Sequence, residues 1–244
     1  MESGRLVIGI HKEILPEGTP GYRKTQNRIA NSATGQTIFT PPPPNGLSRL
    51  LSNWERFVNS EDDGIDPLVK CALAHYQFEA IHPFGDGNGR TGRILIVLFL
   101  VQARLLSLPI LYVSGYINEN RNHYYRLLRG VTSENDWIDW TVFMLKGFYL
   151  QAKSTKEALL KITAMLGEMK EQIRSTHKKL YSSDLIEALF AYPIITPVNL
   201  ARKLEVDYRT ASRYLATLAK GNVLKDSYVG YANKRLLSLL KESF

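Results

Sequence analysis

The chain has 244 residues, 44% of them hydrophobic and 22% charged, with a net charge of +8. This is the composition of a folded globular protein with room for one large domain or for one domain plus a small one, and it excludes a disordered or low-complexity chain. The single cysteine, Cys71, excludes an internal disulfide and fits a reducing, cytoplasmic setting, and the positive charge favours anionic partners such as nucleotides or nucleic acid.

The N-terminus carries no leader pattern. The first strand signal is TGQTIFT, Thr34 to Thr40, ended by four prolines that cannot continue a ladder. Leu47, Leu50, Leu51, Trp54, Phe57 and Val58 recur at three- and four-residue spacing and predict an amphipathic helix. Pro67 opens the next helix, at a position where its missing N–H costs nothing, and the pattern runs to Ile81. A third helix is predicted from about Asn88 to about Leu106. Its run Ile94 to Val101 is apolar on every side, which predicts a place at the domain centre. The run is far short of the roughly 20 residues of a membrane span, so no membrane partner is expected. Helices then fit NENRNHYYRLLRGV (118–131) and DWIDWTVFMLKGFYL (136–150). A long amphipathic segment over 150–180 carries Leu159, Ile162, Leu166, Met169 and Ile173 on one side.

Composition shifts after Lys179. Ser183 or Asp184 caps a first helix, Thr196 and Pro197 start a second, and residues 206–224 give a third with Gly221 as its stop. YVGYANKRL then predicts a hairpin turning at Gly230. The expected architecture is mainly α, with a helical domain and its trailing helix over 1–180 and a winged helix-turn-helix over 181–244.

The chemistry concentrates in IHPFGDGNGRTGR, Ile81 to Arg93. Gly85, Gly87 and Gly89 let backbone N–H groups turn toward a bound group, and the helix that follows offers its unpaired N–H groups and positive end to an anion. Arg90 and Arg93 share one face of its first turn. Asp86 supplies the hard oxygen that Mg²⁺ prefers, and His82 is a titratable group suited to a general base. The stretch reads as a polyphosphate cradle; it reads equally as a Gly-rich turn with a structural histidine. The spacing matches neither a P-loop nor a dinucleotide fingerprint.

HPFGDGNGRTGR resembles the Fic motif, HPFx[DE]GN[GK]RxxR, at every specified position. The resemblance extends over PGYRKTQNRI, IFTPPPP, DPLVKCALAHYQFEAIHPF, YVSGYINENRNHYYRLL and DWIDW, about residues 5 to 150, and a C-terminal winged helix is a common companion in that family. It implies a protein adenylyltransferase that moves AMP from ATP to a Ser, Thr or Tyr hydroxyl of a target protein. His82 is then the base and Asp86 the Mg²⁺ ligand. The amides around Gly87, Asn88 and Gly89 are the anion hole, with the Asn88 side chain on the α-phosphate and Gly85 also binding nucleotide. Arg90 and Arg93 meet the outer phosphates, and Phe84 plugs the core. Tyr124 and Tyr125 resemble the paired aromatics beside the adenine, of which one is core. An asparagine found in some relatives eight residues after the first tyrosine is Thr132 here. Gly89, where kinase-like relatives have lysine, favours AMP transfer. Thr37, Ile38, Phe39 and Thr40 resemble the flap that pairs with an extended target segment; a purely structural hairpin is the other reading.

Many relatives carry an inhibitory motif, [ST]xxxE[GN], whose glutamate occupies the second motif arginine. The candidates here, Glu17, Glu119 and Glu134, have Glu13, Gly115 and Gly130 four residues earlier, so none qualifies. The chain therefore looks like a short form without that element, with Arg93 free of a competing carboxylate and the enzyme constitutively active. A partner supplying such a glutamate in trans would restore inhibition. In residues 181–244 nine Lys and Arg stand against six Asp and Glu, a net of +3. Arg209, Arg213 and Lys220 on the third helix, and Lys234 and Arg235 from the wing, are placed to contact DNA. Packing or recruitment of a protein target is the alternative role for this unit. A DNA-binding regulator with a sensing or remnant nucleotide site is the alternative for the whole chain.

Overall fold

The computed structural model describes residues 3–18, 21–30, 35, 37–61 and 63–243. The protein is mostly helical, as expected, and divides into two compact units, 1–152 and 153–244. The sequence pattern suggested a boundary at 180/181. The difference arises because residues from 153 onward in the long seventh helix pack with the C-terminal helices.

In the first unit α1 (Ser3–Ile14) precedes a short antiparallel pair, β1 (Ile29–Ala30) and β2 (Thr37–Phe39), in which Ile29 faces Phe39 and Ala30 faces Thr37. β2 lies within the expected TGQTIFT stretch, of which Thr34 and Gln36 fall outside the described residues. The Pro run is tied down by Gln26, whose amide donates to Pro41 O at 2.8 Å. Helix α2 (Leu47–Asn59) buries Leu47, Leu51, Trp54 and Val58, the stripe its spacing predicted. Helix α3 (Pro67–Ile81) starts on Asp66, which accepts from Leu68 N and Val69 N, with Pro67 in the first turn.

Helix α4 (Asn88–Gln102) buries Leu95, Ile96, Phe99 and Leu100 but leaves Ile94 exposed, and it ends about one turn early, where Arg104 turns left-handed (φ 59°). The element enclosed on nearly all sides is α3 instead, burying nine residues including Lys70, His75 and Glu79. Those polar residues disguised its position in the sequence. Two indoles fasten it: Trp54 and Trp140 donate to the carbonyls of Ala74 and Ala72, each at 2.9 Å. Then follow α5 (Val113–Glu119), α6 (Arg121–Glu134) and the 40-residue α7 (Trp137–Thr176), one helix where two segments were read. Trp140, Phe143, Met144 and Phe148 complete the first core.

In the second unit Ala158, Met165, Met169 and Ile173 of α7 are buried, whereas Leu159, predicted on the same stripe, is exposed. Helices α8 (Ser183–Ala191), α9 (Pro197–Leu204) and α10 (Tyr208–Lys220) follow, with Thr196 and Gly221 at the caps expected of them. Ser182, one residue earlier than expected, caps α8 by accepting from Leu185 N at 3.1 Å. A three-stranded antiparallel sheet has the order β3-β5-β4, from β3 (Ile194–Ile195), β4 (Lys225–Ser227) and β5 (Gly230–Ala232). The hairpin thus turns at Tyr228 and Val229, not at Gly230, whose φ of 143° opens β5. A last helix, α11 (Lys234–Ser243), had no sequence expectation. Among the described residues no helix is long and apolar enough to cross a membrane.

Candidate active site

The loop between α3 and α4 is built around two committed side chains. Asn88 is 2% exposed: its Oδ1 accepts from Phe84 N at 2.8 Å, and its Nδ2 donates to Phe84 O at 2.9 Å. Phe84 itself is fully buried, stacked on His11 with ring centroids 3.8 Å apart. His11 Nε2 in turn donates to Asp86 O at 2.9 Å, so α1 holds the loop from outside. Both its polar atoms thus take part in closing the loop, and Asn88 lines the cleft at the start of α4. Gly87 caps that helix in the left-handed region (φ 79°), where any Cβ would also press on Leu15.

His82 caps α3 in the left-handed conformation (φ 51°). Such a backbone costs roughly 1–2 kcal/mol for a residue with a Cβ, and the surroundings must impose it. Arg23 does so: its Nε donates to His82 O at 2.8 Å and its backbone N to Pro83 O at 2.8 Å. His82 Nδ1 lies 3.2 Å from Glu79 O and donates to that carbonyl, which leaves Nε2 as the unprotonated nitrogen. Burial pushes the imidazole down to about 4, with the Arg23 charge adding to the shift against smaller opposing effects from Glu79 O and Asp86. His82 is therefore a neutral acceptor throughout the neutral pH range.

These groups open on one polar cleft of about 540 Å³. It gathers His82, Gly85, Asp86, Gly87, Asn88, Gly89, Arg90, Arg93, Tyr124 and Tyr125, while Phe84 stays in the core as expected. Arg90 meets Asp86 across 3.3 Å on the exposed rim, a contact of little energetic weight that an arriving anion can replace. Arg93 is anchored by Nε to Ser114 Oγ at 3.0 Å, and its Nη1 lies over Gly89, where an added Cβ would stand 3.0 Å away. The two tyrosines differ. Tyr124 is buried and shares a 3.0 Å hydrogen bond with His75, whereas half-buried Tyr125 lies under the Arg121 guanidinium at 5.8 Å.

The cleft also holds residues that sequence reasoning missed: Ile29 of β1 and Arg28 just before it, Asn118 and Arg121 before the tyrosines, and Glu79. Of the polar ones only Glu79 adjoins the motif in sequence; Arg28, Asn118 and Arg121 carried no signal beyond falling in segments that resemble the family. Glu79 brings a buried carboxyl into the cleft that the motif did not point to. It is 5% exposed, its Oε1 has no hydrogen-bond partner among the described residues, and the Arg93 charge acts on it. Of the flap, Thr37 and Thr40 are exposed and Phe39 is half-buried; the Ile38 side chain lies outside the described residues.

Asp86 is the single carboxylate of the loop, with its side chain 81% exposed, and among the described residues no group of three His, Cys, Asp or Glu could hold a metal ion. A lone carboxylate fits a Mg²⁺ that arrives on substrate phosphates, because that ion is held by one or two carboxylates together with phosphates and water.

In the second unit Arg209, Arg213 and Lys220 are exposed on α10. Lys234 and Arg235 are not on a wing. The hairpin has ended at Ala232, and Asn233 Oδ1 accepts from Leu236 N at 3.2 Å to begin α11. Arg235 is paired with Glu168, and Lys234 stands against Lys225, which lowers its pKa.

A buried helix opening on a glycine loop, with two arginines and a neutral imidazole on its rim, defines an anion-binding site equipped with a base. Residues 3–100 match the Fic/DOC family, and residues 165–235 match the protein adenylyltransferase SoFic-like C-terminal domain. The chain belongs to the Fic/DOC family, with a Fic domain followed by a SoFic-like C-terminal domain. It is 32% identical over 196 residues to the protein adenylyltransferase Fic of Drosophila persimilis, covering 74% of this chain and 36% of that one. To the protein of the same name from Drosophila yakuba it is 39% identical over 135 residues, 53% of this chain and 24% of that one. The chain thus spans about a third or less of the length of these curated relatives. A crystal structure of a Fic family protein from Desulfovibrio desulfuricans G20 shares the fold, with a TM-score of 0.54 at 23% identity, over 90% of this chain and 62% of that one.

Proposed function

We propose that the chain is a protein adenylyltransferase that transfers AMP from ATP to a hydroxyl of a target protein. The observation that carries this reading is the neutral His82, with Nε2 free, on the rim of the loop that presents the α4 N-terminus. In this reading the amides from Gly85 to Gly89 hold the α-phosphate, and Arg90 and Arg93 hold the outer phosphates by charge-assisted hydrogen bonds. His82 Nε2 takes the proton of the target hydroxyl as its oxygen attacks the α-phosphorus. The bond from that phosphorus to the bridging oxygen breaks, and pyrophosphate carries away the electron pair. Asp86 would hold Mg²⁺, which when bound neutralises charge developing on the phosphates. Tyr125 and Arg121 provide a face for the base, while Tyr124 supports Tyr125 from the core. The β1–β2 pair is the candidate dock for an extended target segment, whose backbone would add to β2.

Arg93→Ala is expected to raise the KM for ATP more than that for ADP, because it removes a partner of the outermost phosphate. Asp86→Ala is expected to weaken the Mg²⁺ dependence of turnover instead. Steady-state kinetics with both nucleotides checks the pair, and an equal effect of Arg93→Ala on ATP and ADP contradicts its assigned role. The exposed Arg209, Arg213 and Lys220 on α10 also support a nucleic-acid contact by the second unit. With Lys234 and Arg235 displaced from the wing, that contact rests on the α10 residues, and recruitment of a protein target is the alternative role of that unit.

A further inference from the structure

Glu79 has no part in the transfer scheme above, yet it sits in the same cleft as a buried carboxyl, an arrangement that is costly unless the group is paired or neutral. Each element around it contributes. His75 lies on α3 and His82 at its C-cap, Gly92 of α4 stands against its Oε1 with Arg93 next in the chain and lining the same cleft, and Tyr124 of α6 feels its charge. A Cβ at Gly92 would run into Glu79 Oε1, so α4 is cut back where the carboxyl lies. Burial holds His75 at about 3 and His82 at about 4, and it keeps the Tyr124 phenol well above its ordinary value. Near neutral pH the charge facing Glu79 is therefore that of Arg93.

We propose that Glu79 is a positioning residue of the phosphate site: ionised, it holds the Arg93 guanidinium back from the outer phosphate of the nucleotide, and neutral, it releases it. The role rests on the reading of Arg93 as an outer-phosphate residue. Burial raises Glu79 to about 7, opposed in part by Arg93, so both forms are populated near neutrality. A polyphosphate bound beside it favours the neutral form. Binding therefore takes up a proton, and affinity falls as pH rises through 7.

The test is binding of ATP with saturating Mg²⁺, measured by calorimetry at several pH values and, at pH 7, in two buffers of different ionisation enthalpy. From pH 6 to pH 8 the Kd of the wild-type chain is expected to rise by up to about tenfold, the limit for one linked proton at this pKa. AMP, which lacks the outer phosphates, is expected to change little. Glu79→Gln, which mimics the neutral carboxyl, is expected to keep the low-pH affinity throughout and to lose the proton uptake. Titration of the nucleotide itself is common to both proteins and cancels. A wild-type pH profile in Glu79→Gln overturns the proposal. So does ATP binding by the wild type with no proton uptake, a measurement that stands even if the variant fails to fold. Folded wild-type protein that binds no ATP at any of these pH values overturns the adenylyltransferase reading along with it.

Discussion

Replacing His82 is expected to lower AMP transfer by about 10²–10⁴-fold, the usual contribution of a general base, while leaving ATP affinity close to that of the wild type. The imidazole presents its unprotonated Nε2 because Nδ1 is engaged by Glu79 O, and burial keeps it neutral down to about pH 4. Its pKa lies below the ordinary histidine value, so the basic form is fully present above that value and is lost only as the pH falls through about 4. Transfer governed by His82 is accordingly flat on the acid side down to about pH 5. The choice of substitution matters, because this residue has a φ of 51°. Asn tolerates that region better than Ala, so His82→Asn removes the base while preserving the loop. Single-turnover transfer and nucleotide binding measured on both variants check the assignment. Near-wild-type transfer in either one contradicts it.

Phe84→Ala is expected to destabilise the Fic domain by about 3–5 kcal/mol, the range for removing a large aromatic from a core. The ring is fully buried, stacks on His11 and lies 5.5 Å from Tyr22. The damage does not stop at the cavity. Both backbone groups of Phe84 bond the Asn88 side chain, which in turn sets the start of α4. Anion binding should therefore weaken together with stability. Phe84→Leu fills most of the volume and should cost far less. Chemical denaturation followed alongside ATP titration checks both effects, and a loss below about 1 kcal/mol for Phe84→Ala would show that the ring does not anchor the loop.

The parts of this protein legible in its sequence are those governed by local rules. Pro67 after Asp66, Thr196 before Pro197 and Gly221 at a helix stop are positions where one or two residues decide a terminus. The phosphate loop was legible because glycines, a carboxylate and two arginines lie within one short stretch. What could not be read depends on partners distant in sequence. Asn88 looked like a ligand-facing amide, and only the fold shows it closing on Phe84. Arg23, 59 residues before His82, fixes the backbone of the base, and nothing in its neighbourhood marks it for that. His11, 75 residues before Asp86, is a strut of the loop, and nothing near it in the sequence marks it as one. α3 was underrated as a core helix because Lys70, His75 and Glu79 break its apolar pattern, and their burial depends on neighbours such as Asp63, Tyr124 and Arg93. The hairpin and Lys234–Arg235 were misplaced because the Asn233 cap competes with a wing that the residue types alone would have prolonged.

The account predicts that this chain transfers the α-phosphate part of ATP and releases the two outer phosphates as pyrophosphate. The most direct test incubates the purified, folded chain with Mg²⁺ and ATP labelled at the α-phosphate or, in parallel, at the γ-phosphate, alone and with a cell lysate, followed by mass spectrometry of labelled proteins. Label from the α position on the chain itself and on a target hydroxyl, absent in His82→Asn and absent with γ-labelled ATP, is the predicted result. Incorporation from the γ position, or no incorporation by protein that is folded and binds ATP, would contradict it.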